Sequence, residues 1–233
     1  MEKVVCTLFS AREGDSLRDE LINETLPALQ RHDCVRGVRL CVEDGAVALA
    51  AGRRMASQYL PKAVLSLWLD ESRQLEALSP ILRQVADSYH AYLVAEAEPL
   101  VNRRTPADGV TRGDGFCQVA FICRPGAMPE QDWLRVWQGS HTQIAIDTQS
   151  TFGYRQNYVV RALTDDAPEV HAIVEENFPA EAMESDHAFY AAEDDATLAQ
   201  HQQAMMESCG RFIDFERIDV IPTSEYLSQL AAP

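Results

Sequence analysis

The feature that most constrains the fold is an order of predicted strands and helices that occurs twice. In the first half, hydrophobic periodicity predicts strands at 4–9, 35–42, 63–69 and 91–101, and helices at 15–31 and 72–89. In the second half it predicts strands at 116–123, 152–163, 170–175 and 215–222, and helices at 130–146, 178–191 and 194–208. Apart from the short helix at 178–191, both halves read β-α-β-β-α-β.

A segment rich in glycine separates the two halves. Residues 102–115 contain three Gly and one Pro among few apolar residues, which is typical of a surface linker. We therefore divide the chain into a first repeat at 1–101, a linker at 102–115 and a second repeat at 116–233.

This order predicts an α+β fold made of two ferredoxin-like units. Each unit has one antiparallel sheet with both helices on one face, so the other face needs cover. Packing the two sheets face to face would close an eight-stranded barrel with room inside for a small ligand. We expect an intramolecular pseudo-dimer, and a further homodimer remains an alternative because isologous pairing is common.

The charge of the chain excludes some partners. There are 36 Asp and Glu against 20 Lys and Arg, a formal net charge of −16. Such a chain should repel nucleic acids and anionic membranes. Residues 162–210 hold 12 acidic and no Lys or Arg side chains, so the acidity is concentrated in the second repeat. A negative potential there favours a neutral substrate over an anionic one.

The sequence also bears on compartment. It contains no run of 18 apolar residues and no recognisable signal peptide at its start. The six cysteines form no Cys-x-x-Cys motif, and most lie in apolar, strand-like runs. We therefore expect a cytoplasmic protein with reduced cysteines.

One stretch carries a resemblance to a known family. Between 116 and 163 a strand leads into a Pro-Gly turn, a helix with Trp-x-x-x-His, and a strand with Gln-Asn. The matching residues are Arg124-Pro-Gly, Trp133, Trp137, His141, Gln156 and Asn157. This pattern resembles the EthD family of dimeric α+β-barrel proteins. Gln143 stands where that family usually has a proline, and in the first repeat Thr25 or Glu24 stands where the histidine would be.

The resemblance implies a function. Members of the superfamily include cofactor-free monooxygenases, lactone isomerases, dehydratases and decarboxylases that act on hydrophobic or aromatic molecules. We therefore expect a cofactor-independent lyase, isomerase or oxygenase acting on a small oxygen-bearing molecule, with His141 as the proton shuttle. The alternative is a non-catalytic binding or accessory barrel, which the degenerate first repeat and the missing proline favour.

The helix residues of the motif allow two interpretations. Trp133, Trp137 and His141 are spaced i, i+4 and i+8, so they share one stripe of the helix. The stripe is either the core face of the helix, with His141 a hydrogen-bonded terminal residue, or it ends in a general acid/base at the barrel mouth. Histidine suits the second role because its ordinary pKa lies near working pH.

The following strands supply further candidate substrate-binding residues. Tyr154, Gln156 and Tyr158 alternate with Arg155 and Asn157, and the period of two does not say which set faces inward. Phenols and an amide suit a pocket for a planar, oxygen-bearing molecule. Tyrosines whose hydroxyl group reaches solvent also pack in ordinary cores.

His171 and Glu175 share a face of the strand at 170–175. The carboxylate could orient the histidine, or the strand could be a solvated edge.

No cofactor motif is present. The sequence contains no Gly-x-Gly-x-x-Gly, Walker A or Gly-x-Ser-x-Gly pattern, so we expect no nucleotide cofactor. Asp186-His187, 193–195 and His201 match no closed metal site. Some barrels of the superfamily hold haem, but nothing in this sequence requires it. We expect no cofactor and no metal.

Overall fold

The structure is a computed structural model that describes residues 1–55, 60–103 and 111–227. Half of the predicted linker, residues 104–110, and the last six positions of the predicted second repeat lie outside these ranges. Across the described ranges, no helix is both long enough and apolar enough to cross a membrane.

Nine strands and seven α-helices make up the described chain. The strands are β1 (Glu2–Phe9), β2 (Val35–Val42), β3 (Ala63–Leu69), β4 (Ser88–Leu100), β5 (Thr111–Arg112), β6 (Phe116–Ile122), β7 (Gly153–Ala162), β8 (Ala172–Phe178) and β9 (Asp219–Leu227). The α-helices are α1 (Gly14–Glu20), α2 (Leu26–Gln30), α3 (Leu75–Val85), α4 (Glu130–Val136), α5 (Thr142–Thr148), α6 (Asp186–Phe189) and α7 (Asp195–Cys209).

The strands close into an antiparallel barrel. Their order is β2-β3-β1-β4-β7-β8-β6-β9, and β9 pairs again with β2. The halves β2-β3-β1-β4 and β7-β8-β6-β9 have the same internal order and meet at two seams, β4–β7 and β2–β9. The predicted α+β barrel of two ferredoxin-like units is confirmed. We call the four-stranded halves, each with its helices, the first and second units.

The strand β8 differs from its prediction in its bounds and in its burial, and β9 begins four residues later than predicted. The sequence allowed a short, polar edge strand at 170–175, but β8 runs over Ala172–Phe178 between β7 and β6, and all seven residues are buried. Its polar side chains are therefore not solvated. In a closed barrel both faces of a strand are covered, one by the opposite sheet and one by helices.

Each unit contains one helix that is interrupted by a π segment. In the first unit Leu21–Thr25 lies between α1 and α2, and in the second Trp137–His141 lies between α4 and α5. A π turn inserts one residue into a helix and rotates every later side chain around the axis. The predicted continuous helices at 15–31 and 130–146 therefore exist, but their faces change at these points.

The barrel interior is packed in two layers. One end holds apolar side chains from both units, including Val5, Val64, Val119, Phe121 and Ile173. The other end holds an ion-pair network, in which Lys3, Arg39 and Arg155 face Glu96, Glu98, Glu175 and Glu225. An eight-stranded barrel is just wide enough for side chains to fill. The residues expected to bind a ligand must therefore be sought outside the barrel as well as within it.

Glu175 lies at the centre of the ion-pair network. Its carboxylate is 3.4 Å from Lys3 Nζ and 3.2 Å from Arg39 Nη1. Burial opposes ionisation of this carboxyl, but Lys3, Arg39 and Arg155 outweigh it and hold its pKa below the usual range. The carboxylate from the second unit is thus balanced mainly by cations from the first.

Candidate functional site in the second unit

The helix-covered face of the second sheet carries polar residues where the first sheet is apolar. Strand pairing allows the two sheets to be superposed residue by residue. Leu8 pairs with Ala63 in the first unit as Ile122 pairs with Ala172 in the second. In this register Glu176, which pairs with Gln118, corresponds to Leu67, which pairs with Val4. A buried carboxyl and an amide thus replace two aliphatic side chains.

The same substitution extends to the neighbouring strand and helix. Tyr154 pairs with Glu176 and Gln156 with Val174, whereas Val38 and Leu40 occupy the corresponding positions of β2. Aligning the two π segments makes Thr142 the counterpart of Leu26. The first unit therefore serves as an internal comparison, in which these positions form an ordinary apolar core. The polar set belongs to the second unit alone.

Glu176 is the most unusual member of this set. The residue is 8% exposed, and its carboxyl makes no hydrogen bond to any residue in the described ranges. Burial raises the pKa of Glu176 to about 8. Such a carboxyl can gain or lose a proton near neutral pH, whereas an ordinary glutamate is ionised there.

The surroundings of Glu176 are aromatic and apolar. Trp133 and Trp137 pack with ring centroids 4.9 Å apart, and both are fully buried. Within the described part of the chain, the indole nitrogen Nε1 of Trp137 is buried and makes no hydrogen bond of good geometry, although it lies beside the phenol of Tyr154. Tyr154 is also buried. Its burial and the charge of Glu176 raise the pKa of its phenol, whereas hydrogen bonding with Trp137 and Gln156 lowers it. The site therefore places an indole N–H and a phenol near a carboxyl that has no hydrogen-bond partner among the described residues.

An amide and a hydroxyl on this face are paired with each other. Gln156 Nε2 donates to Thr142 Oγ1 at 2.6 Å, and Thr142 Oγ1 donates to the carbonyl oxygen of Trp137 at 2.9 Å. This chain of hydrogen bonds fixes the π segment against β7. It also orients the side chain of Gln156.

His141 does not lie on the predicted stripe with the two tryptophans. Because the π segment adds a residue, Thr142 continues the stripe, and His141 turns towards α7. Its Nδ1 lies 3.0 Å from Ser208 Oγ, and its ring packs 4.6 Å from Phe212. Burial and the nearby Arg211 lower the pKa of His141 to about 4, so its imidazole is neutral at working pH.

The structure separates the other predicted site residues into two groups. Tyr154 and Gln156 lie on the face of Glu176, as does Tyr158, whose hydroxyl donates to Glu130 near the surface. Asn157 points into the barrel, where Nδ2 donates to Glu175 Oε1 at 3.0 Å. The pattern of alternation was correct, but the tyrosine set faces the helices and the asparagine set faces the lumen.

The suggested pairing of His171 with Glu175 is wrong. His171 immediately precedes β8, where its Nδ1 accepts from the backbone N–H of Arg124 and its ring lies 6.0 Å from Trp133. Burial lowers its pKa, and its nearest carboxylate is Glu169 at 3.9 Å. Glu175 is held instead by the cations of the barrel interior, because inward-facing Lys3 and Arg39 converge there.

Sequence reasoning therefore missed Glu176, Thr142 and Gln118. One signal for Glu176 was available, since it shares a strand face with Val174 and Phe178, both apolar. An isolated acid on an apolar strand face is either paired or functional. Thr142 gave no such signal, because it depends on the π segment.

One group of side chains in the barrel has the composition of a metal site. Ligand atoms of Cys41, Cys117 and Glu225 lie within 4.8 Å of one another. Glu225, however, already accepts from Arg155 at 2.6 Å and from Asn177 at 2.9 Å. The adjacent Cys41 and burial raise the pKa of the Cys117 thiol. A cation would have to displace an arginine and two thiol protons.

Comparison with known proteins supports the fold. No family model and no curated protein matches this chain. Among solved structures, an anthrone oxidase-like protein aligns with a TM-score of 0.60 at 10% identity, covering 100% of this chain and 94% of that one. A putative monooxygenase from Lactobacillus acidophilus (TM-score 0.43, 8% identity, 98% and 96% covered) and a putative chlorite dismutase (0.46, 9%, 99% and 97%) align less well and add nothing to the assignment. The chain therefore shares its overall fold with the anthrone oxidase-like protein, and one polypeptide supplies both halves of its α+β barrel.

Proposed function

We propose that this protein is a cofactor-independent enzyme that moves a proton on a small hydrophobic or aromatic, oxygen-bearing molecule. The substrate would bind between the second sheet and its helices, as the EthD-like motif there suggests. The observation that carries the proposal is Glu176, a buried carboxyl that has no hydrogen-bond partner among the described residues and a pKa of about 8. The reaction class is a lyase, isomerase or oxygenase, and the anthrone oxidase-like neighbour is compatible with the last of these.

Glu176 has the properties of a general base. A catalytic group works best when its pKa is near the operating pH, because it is then present in the required form and still transfers the proton readily. Ionised Glu176 would take a proton from an acidic C–H or O–H of the substrate. The indole N–H of Trp137, next to the phenol of Tyr154, would donate to the oxygen on which negative charge develops. The anion formed is a common starting point for isomerisation, elimination or reaction with oxygen.

This proposal moves the proton shuttle from His141 to Glu176. His141 is hydrogen-bonded to Ser208 and packs against Phe212, which suits a residue that holds α7 in place. The acidic segment around the site disfavours anionic substrates, so the substrate would be neutral before it loses a proton.

The test is to incubate the protein with a panel of hydroxyaryl ketones, anthrones and lactones, in buffer with and without a chelator. Mass spectrometry measures conversion of each compound. For any compound that the protein converts, Glu176→Gln should lower kcat by about 100-fold or more. His141→Ala should lower it by less than about 10-fold. Glu76→Gln, which changes an exposed acid on α3 of the first unit, is the matched control and should have no effect.

Full turnover by Glu176→Gln would overturn the proposal. If compounds bind but none is converted, the alternative function, a non-catalytic binding protein, is supported. Loss of turnover in chelator would argue against independence from a metal.

A further inference from the structure

We propose that the first unit helps to keep the proposed site of the second unit closed. Its 3₁₀ helix Gly45–Arg53 holds closed, through Arg53, the segment that covers Glu176. This inference rests on the proposed function only in taking Glu176 as the site. We call residues 180–209, which include α6 and α7, the covering segment.

The covering segment contacts the sheet on both sides of Glu176. At one end the Phe189 ring stacks on Phe178, with centroids 4.4 Å apart, and Phe178 follows Glu176 on the same strand face. At the other end Cys209 packs against the cluster that contains Tyr154. Burial and the charge of Glu176 together raise the pKa of Cys209 to about 12, so the thiol lies within electrostatic reach of that carboxyl.

The middle of the covering segment is weakly held. Of the fifteen residues of α7, Ser208 alone is buried. The corresponding helix of the first unit, α3, has eleven residues and buries Leu75, Leu78, Leu82 and Val85. Few buried apolar contacts are typical of an element that opens at low free-energy cost.

The C-terminal end of α7 is fixed by polar contacts within the second unit. His141 bonds to Ser208, and Arg211 Nη2 donates to Ser140 Oγ at 3.2 Å and to Ser208 Oγ at 3.1 Å. This end is therefore held within the second unit. The other end is held by the burial of Ala182, Met183 and Phe189 beside Phe178, and by a further polar attachment.

Arg53 supplies that attachment from the first unit. Its Nε donates to the carbonyl oxygen of Ala182 at 3.1 Å, and its Nη1 lies 2.5 Å from Asp186 Oδ1. The guanidinium also lies 4.5 Å from the centroid of the Phe189 ring. One side chain thus contacts three points of the covering segment, through a hydrogen bond, an ion pair and a cation–π contact.

Arg53 is accordingly a positioning residue. It does not touch the proposed substrate, but its release would loosen the packing of the whole covering segment, from Phe189 on Phe178 to Cys209 at the end of α7. A molecule could then reach Glu176 without unfolding either sheet.

The test uses Cys209 as a reporter of access to the site. Wild type and Arg53→Met are treated with N-ethylmaleimide under native conditions, and alkylation of each cysteine is followed by peptide mass spectrometry. Arg53→Met should raise the Cys209 rate by about 10-fold or more, because methionine keeps an apolar stem but loses the ion pair. Asp186→Asn, which weakens the same contact from the other side, should act in the same direction.

Arg54→Met is the matched control. Arg54 is the next residue and pairs with Glu43 within the first unit, so its loss should leave the Cys209 rate within about twofold of wild type. Half-buried Cys34 and fully buried Cys6, both in the first unit, are internal references in every sample.

An unchanged Cys209 rate in Arg53→Met would overturn the proposal. So would a parallel rise at Cys6, since that would mean general destabilisation and not local opening. The measurement uses no substrate. A failure of the Glu176 assignment and a failure of the Arg53 contact are therefore separate outcomes.

Discussion

Glu176 stands at a position where the same fold accepts leucine. The pKa of Glu176 is about 8 in the folded chain and about 4.5 in the unfolded chain. Ionisation of this carboxyl therefore lowers the free energy of unfolding. The unfolded chain releases this proton near pH 4.5, but the folded chain keeps it until about pH 8. The contribution of Glu176 to the free energy of unfolding is therefore greatest below pH 4.5 and falls as the pH rises to 8. The free energy of unfolding changes by roughly 5 kcal/mol over this range.

We expect Glu176→Gln to flatten the dependence of Tm on pH between 5 and 8. Glu176→Leu, which installs the residue found at the corresponding position Leu67, should raise Tm at pH 8 by several degrees while removing turnover. Thermal unfolding across this pH range measures both effects, with Glu76→Gln as the control. If Glu176→Gln follows the wild-type curve, the carboxyl is not buried in its unpaired form.

For single residues, the sequence predicted the aromatic and amide residues near Glu176 but not Glu176 itself. Trp133, Trp137, Tyr154 and Gln156 all lie at the site, because their types and spacing carry information within one element. The role of Glu176 depends on what faces it from β7 and β6, which lie far away in the chain. Local patterns do not encode that partnership.

The π segment Trp137–His141 decides which residues face the sheet. Helical periodicity predicted the helix correctly and also predicted His141 on its buried stripe. A single added residue is invisible to periodicity, because the pattern on each side remains helical. Thr142 and not His141 consequently meets Gln156.

Removing the added residue should restore a regular α-helix without moving Thr142 off the sheet-facing stripe. Deletion of Gly139, an exposed position, places Thr142 four residues after Trp137, so Thr142 should still face Gln156. We expect turnover to be retained and the free energy of unfolding, measured by urea unfolding, to change by less than about 1 kcal/mol, because the buried polar atoms keep their partners.

Gly139→Ala provides the control for that deletion. A Cβ at Gly139 would meet nothing within 4 Å, so alanine should raise stability by about 0.5–1 kcal/mol with activity intact. An inactive deletion variant would show that the site needs the π segment itself and not only the alignment of Thr142 with Gln156.

The whole molecule is joined by charges inside the barrel. Lys3 and Arg39 of the first unit meet Glu175 and Glu225 of the second, within the interior where the sheets face each other. The repeated order of elements was enough to predict this barrel. It was not enough to say which residues face the interior, since both strand faces are buried and alternation alone cannot distinguish them.

Weakening this network should destabilise the barrel. Glu175→Gln removes the fully buried carboxylate between Lys3 and Arg39, while Glu96 remains near both cations. We therefore expect a loss of about 1–3 kcal/mol in urea unfolding at pH 7. The pKa of Glu175 is lowered by folding, so its contribution is present above pH 4.5 and disappears as pH falls below that value. The Glu175→Gln variant should therefore show weaker acid sensitivity than wild type.

The double variant Lys3→Met/Glu175→Gln tests whether the loss belongs to the pair. It should recover part of the stability, since no buried cation is left uncompensated at that position. Additive losses in the double variant would mean that the two residues act independently.

The β2–β9 seam also sets the order in which the molecule can assemble. Arg39 pairs with Leu227, so this seam forms only after nearly all of the described chain has been synthesised. Until then β2 exposes an unpaired edge, and β4 does the same while it waits for β7. Open strand edges recruit other chains, and contacts between distant residues form slowly. Nascent chains of this protein should therefore depend on chaperones more than their native stability would suggest.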